Sequence, residues 1–175
     1  MKTAERVSVD VSEDRRHRIP RWTHKASALT GREVDDGVQA GPLLDQVSGT
    51  LASFIGDGGY DQERVYASIA MRHPEATVIA PSRPTAVSSE MAETEPTQRD
   101  RHLQLIATHG RMGWQKASGY TKRARAEAAI ARWKQVIGNG LRSRTDERWA
   151  IEVAVAAHAL NRMVALERPS YLRIT

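Results

Sequence analysis

Tyr120, Arg123, Glu127 and Lys134 stand in the segment GYTKRARAEAAIARWKQVIG at the spacing Tyr-x2-Arg-x3-Glu-x6-Lys. On a helix turning about 100° per residue they fall within about 60° of one another. One face therefore carries an aromatic hydroxyl, two cations and a single carboxylate. Such a carboxylate suits a metal ligand beside a phosphate backbone: the anion holds the metal, and the cations hold the phosphates. A second group lies in GDGGYD, where Asp57 follows the apolar run TLASFIG and precedes two glycines. A carboxylate at a strand end is aimed into a cleft by rigid backbone, and glycines beside it leave room for a ligand. Each residue also has a plainer reading. Asp57 suits a turn after a strand, and Glu127 suits a surface ion pair with Arg123 four residues earlier.

The elements that must position these residues follow from the pattern of the chain. Residues 121–137 are alanine-rich, lack Gly and Pro, and predict a helix ending at Gly138. Within it Trp133 points about 100° away from Lys134 and belongs to the core rather than to a base-stacking surface. Residues 50–56 predict a short buried strand with Asp57 at its end. Residues 61–72 predict a helix with Asp61 as N-cap, and residues 76–80 a second buried strand. Strand, helix, strand within about thirty residues favours a parallel pair. Residues 40–47 predict a short helix with Pro42 in its first turn, and residues 26–30 a strand remnant. Pro84, Pro96 and many Ser, Thr and Glu make 82–97 a loop. Residues 99–109 and 146–166 predict two further helices. Residues 1–25 read as an irregular arm, with a possible short strand over residues 6–12.

With DDGVQAGPLLDQVSGTLASFIGDGGYD upstream of the glutamate segment and ALNRMVALERPSYLRI after it, the chain resembles the DDE transposases of bacterial insertion sequences. The resemblance is to the carboxy-terminal part of the catalytic domain in the insertion sequence 4 and insertion sequence 5 superfamily, and covers roughly residues 26–175. It implies an α/β fold with an RNase H-like core and a function in cut-and-paste DNA transposition. Asp57 and Glu127 match the second aspartate and the glutamate of the family. They would be catalytic carboxylates and ligands of Mg2+ or Mn2+, the hard cations that carboxylate oxygens select. In such in-line displacements two metals about 3.5–4 Å apart activate the attacking and leaving oxygens. By the same resemblance Lys134 contacts DNA phosphate, Arg123 holds phosphate or orients Glu127, and Tyr120 stacks on or hydrogen-bonds to terminal DNA. The implied partners are the inverted-repeat ends of an insertion sequence, and a second copy of the chain or an intact transposase.

One departure matters. A complete site needs a first aspartate on the first core strand, in a segment like Asp-Ser-Thr-Gly, and no such segment precedes Asp57. Asp10 in VSVDVS is the strand-like candidate, but its flanks do not match and it lies close to Asp57 in sequence. The expectation is therefore a core incomplete at its amino-terminal strands. The chain would be truncated or frame-shifted, with residues 1–25 foreign to the domain, and inactive or nearly so by itself. An unpaired sheet edge would make it marginally stable or associated with another chain. The alternative reading is a non-catalytic DNA-binding or regulatory fragment.

Composition narrows the field further. The 175 residues leave room for one domain with a real core, built mainly of Ala, Val, Leu and Ile because aromatics are only 5%. The absence of cysteine excludes disulfides, thiolate zinc sites and cysteine nucleophiles. The six histidines show no HExxH spacing, GDGGYD lacks the pattern of a nucleotide loop, and no G-x-S-x-G elbow occurs. Without a signal core or a long apolar run, a cytoplasmic protein with no membrane partner is expected. The net charge of +5 is unevenly spread: residues 1–98 carry 11 basic and 15 acidic side chains, residues 99–148 carry 12 and 4. The basic block coincides with the glutamate segment, which is the electrostatic footprint of a nucleic-acid surface.

Overall fold

The computed structural model describes residues 25–28, 34–138 and 140–166. Five helices and two short strands follow in the order α1 (Asp36–Leu44), β1 (Ser53–Ile55), α2 (Glu63–Arg72), β2 (Thr77–Ile79), α3 (Gln98–Ser118), α4 (Arg123–Val136) and α5 (Asp146–Ala165). The α/β class is as expected, and β1 and β2 pair in parallel, Phe54 opposite Val78 and Ile55 opposite Ile79. Alternation along these strands serves two faces. Phe54 and Val78 join the largest core cluster with Leu43 and Leu44 of α1 and Val65 and Ile69 of α2. Ile55 and Ile79 face the other way, onto Trp114 of α3. A third cluster joins α4 to α5: Trp133 packs on Val153, Ala156 and Leu160, so its expected place in a core is correct.

Several elements differ from the sequence expectation. Helix α1 starts four residues early, because the Asp35 carboxylate accepts a hydrogen bond from Gly37 N and caps it there. Pro42 consequently lies in its second half instead of its first turn. Asp61 does not cap α2. Gln62 occupies the N-cap without a side-chain bond, and the Asp61 carboxylate is fully buried against Arg99, at 3.0 Å and 3.2 Å. Residues 26–28 form no regular strand. Asp10, the suggested strand over 6–12 and the rest of the arm to residue 24 lie outside the described residues, as do 29–30 and the terminal 167–175.

The largest correction concerns α3, which runs nine residues past the expected end. Gly110 adopts φ 69°, ψ 172° inside it and divides it into two helical segments, 98–109 and 111–118. A positive φ of this kind is open to glycine at little cost. The second segment folds back on the first: the rings of His102 and Trp114 are 5.7 Å apart, whereas twelve residues of straight helix would separate them by about 18 Å. The fold-back is tight enough that a Cβ on Gly113 would lie 2.6 Å from His109 Cβ.

The start of α3 is fixed by polar side chains. Thr97 and Asp100 form a reciprocal capping box. Gln98 donates to Ala76 O and accepts from Val78 N, which covers part of the outer edge of β2. The buried Asp100 carboxylate also accepts from Ser89 N and Ser89 Oγ, at 2.8 Å each. The Thr97 hydroxyl and the Ser89 backbone N–H hold Asp100 well below the usual carboxylate range against the opposing effect of burial. A carboxyl depressed in the folded state contributes stability that is complete above its unfolded pKa of about 4 and is lost as pH falls below it. Asp100→Ala is therefore expected to cost about 2–3 kcal/mol at pH 7. In urea unfolding at pH 7 and pH 3, the variant should also lose less stability on acidification than the parent chain does.

Candidate DNA and metal interface

Asp57 ends the β1 connection and caps the 3-10 turn Gly58–Tyr60. Its Oδ1 accepts a hydrogen bond from Gly59 N at 2.9 Å, the turn role anticipated for it. This bond orients the carboxylate and leaves Oδ2 facing outward toward Arg123 Nη2 at 3.7 Å. Gly59 sits close against two carboxylates. A Cβ there would lie 3.0 Å from Asp57 Oδ1 and 3.3 Å from Asp36 Oδ2. Asp36, at the first position of α1, thus brings a second carboxylate to the same turn. In sequence, Asp36 with Asp35 ahead of Gly37 suggests a turn or helix start, and nothing local ties it to residue 59.

Arg123 begins α4, and its Nε lies 3.2 Å from Glu127 Oε1, one turn along the same helix. One guanidinium therefore sits between a carboxylate of the strand end and a carboxylate of the helix. Tyr120 precedes this turn and stacks on Trp114, with ring centroids 5.2 Å apart. Its hydroxyl lies in the same field: burial raises its pKa, Arg123 opposes the rise, and Asp57 and Glu127 add to it. Four of the five site residues read from the sequence, Asp57, Tyr120, Arg123 and Glu127, are thus neighbours in space across some seventy residues of chain. Lys134 is not part of this group. It is exposed on α4, seven residues beyond Glu127 or about 10 Å along the axis.

The donor set is two hard carboxylate oxygens on either side of one cation, which fits a divalent ion of the magnesium type in chemistry. In number it falls short. Among the described residues no three His, Asp or Glu side chains converge closely enough to hold a metal ion. No described helix is long and apolar enough to cross a membrane.

Trp114 is the functional support that the sequence reading missed. It is 1% exposed, packs on Ile55, Ile79 and Tyr120, and thereby seats the first turn of α4 against the strand ends. Its segment, GRMGWQKAS, shows no helical periodicity in apolar residues, so only the fold-back at Gly110 reveals its role.

A family model described as a transposase DDE domain matches residues 15–163. No curated protein and no solved structure matches the chain.

The seat makes a prediction of its own. Trp114 Nε1 is buried with no hydrogen-bond partner among the described residues, so the contribution of this side chain is apolar packing. Trp114→Ala is expected to cost about 3–5 kcal/mol. Trp114→Phe should retain most of that, because it removes an unsatisfied donor together with part of the ring. Denaturant unfolding of the two variants checks this; equal losses would mean that a phenyl ring does not fill the seat.

Proposed function

The chain belongs to the transposase DDE domain family, and from that premise we propose that it binds DNA along the face carrying Tyr120 and, on α4, Arg123, Glu127 and Lys134. Asp57 and Glu127 act there as the ligands of Mg2+ or Mn2+. The observation that carries this reading is the convergence of Asp57, Arg123 and Glu127 from two distant parts of the chain. When bound, the metal supplies charge stabilisation and activation of an attacking oxygen in phosphoryl transfer. Arg123 and Lys134 hold phosphate, the first as a fork and the second as a point charge. Tyr120, backed by Trp114, presents a ring edge and hydroxyl to the DNA end.

The finer placement belongs to the same proposal. The spacing Tyr-x2-Arg-x3-Glu-x6-Lys supports the insertion sequence 4 and insertion sequence 5 superfamily. The parallel strand–helix–strand unit supports an RNase H-like core. The DNA partner is an inverted-repeat end. A two-carboxylate donor set defines a two-metal centre poorly, so cleavage by this chain alone is weak or absent. This favours, as a second reading, a non-catalytic DNA-binding fragment that occupies element ends or joins an intact transposase.

Retardation of a duplex should weaken steeply with salt, because phosphate contacts release counterions. Lys134→Ala should lower the affinity and reduce the slope of log affinity against log salt by about 1. Asp57→Asn should leave binding in place. Incubation of the purified chain with supercoiled DNA and Mg2+ should yield no nicked product. Metal-dependent nicking lost in Asp57→Ala would show an active single chain and overturn the reading of weak cleavage.

A further inference from the structure

Arg123 stands where the candidate ligands would meet a metal. Its Nη2 is 3.7 Å from Asp57 Oδ2 and its Nε is 3.2 Å from Glu127 Oε1. Asp57 Oδ1 accepts from Gly59 N, which orients the carboxylate so that Oδ2 faces Arg123. Arg123 itself is only partly exposed, 29% at its side chain, whereas the carboxylates are more open, at 47% and 62%. The guanidinium is thus a resident cation paired with both carboxylates. A divalent ion and this guanidinium compete for the same oxygens, and like charges side by side repel.

We propose that Arg123 is an internal counter-cation that keeps Asp57 and Glu127 occupied until a DNA phosphate draws it away, so that metal loading follows DNA binding. The inference rests on the reading of Asp57 and Glu127 as metal ligands and adds a regulation to it. Guanidinium–phosphate pairing is bidentate and charge-assisted, whereas the two ion pairs of Arg123 are exposed and individually weak. A phosphate on the α4 face therefore has the stronger hold. Its arrival turns one positive charge outward and leaves two carboxylates uncompensated beside each other. That arrangement favours a divalent cation. Without DNA, the pair is neutralised internally and attracts metal less.

Mn2+ binding, read as the loss of the electron paramagnetic resonance signal of free aqueous Mn2+, tests this on the full chain. The double variant Asp57→Asn, Glu127→Gln serves as the blank. Removing two weak exposed pairs should tighten Mn2+ binding by about threefold or more in Arg123→Gln. Arg123→Lys, which keeps the charge, should stay near the parent value. Adding a short duplex should tighten Mn2+ binding of the parent chain above the blank and do nothing further for Arg123→Gln. The duplex comparison on the parent chain needs no variant at position 123 to fold. If Arg123→Gln binds Mn2+ no more tightly than the parent, Arg123 is not a competitor and the inference is overturned, while the metal-ligand reading stands as long as the blank loses the ion. If the duplex tightens parent and Arg123→Gln alike, the coupling to DNA is overturned. If neither binds Mn2+ beyond the blank, the inference falls together with the metal-ligand reading.

Discussion

The wedge of Trp114 against Ile55 and Ile79 is the contact on which the geometry of the site depends. Asp57 and Glu127 are far apart in sequence, and β1 ends before the chain has made either α2 or β2. What returns the chain to the strand ends is the reversal at Gly110. It converts one long helix into two segments and brings Trp114 back over the sheet. Tyr120 then stacks on Trp114, and the next turn places Arg123 beside Asp57. The free energy lies in apolar burial, which is non-directional. The accuracy comes from rigid backbone on both sides, the parallel strands below and the start of α4 above.

Two kinds of ion pair divide the work in this fold. Asp61–Arg99 is a buried, bidentate pair, with Arg99 also donating to Val87 O. Removing Arg99 would strand the buried Asp61 carboxylate, so this pair fixes the long loop and the start of α3 to the strand–helix–strand unit. The pairs of Arg123 are exposed and made by one cation shared between two anions. Such pairs contribute little to stability and rearrange readily. The structure therefore uses burial where position must not change, and solvent exposure where the partners of a charge can be exchanged.

Much of this was legible in the sequence, and the failures have physical causes. The α4 face was readable because alanine-rich sequence without breakers enforces the helical period, which aligns residues 123, 127 and 134; Tyr120 lies in the 3-10 turn ahead of the helix instead. The parallel strands were readable because short apolar runs bounded by Gly and Pro flank an amphipathic stretch. Asp61 was misplaced because an aspartate ahead of a helix is locally a good N-cap, and the competing partner, Arg99, is thirty-eight residues away. The extension of α3 was missed because Gly110 and Gly113 look like breakers. Here one supplies the reversal and the other the clearance against His109. Asp36 was not connected to Gly59, since that proximity arises only when α1 packs beside the turn.

The site draws on two clusters of packing. Asp57 belongs to the strand–helix–strand unit with its own core around Phe54 and Ile69. Glu127 and Lys134 belong to the α4–α5 pair closed by Trp133, Val153 and Leu160. Arg142 N and Ser143 N, which donate to Glu152, tie the connection between those helices to α5 and depress the Glu152 carboxyl. Between the two clusters stand Trp114, Tyr120 and the shared guanidinium of Arg123. Asp57 and Glu127 are thus related through that guanidinium, which meets Asp57 Oδ2 at 3.7 Å and Glu127 Oε1 at 3.2 Å.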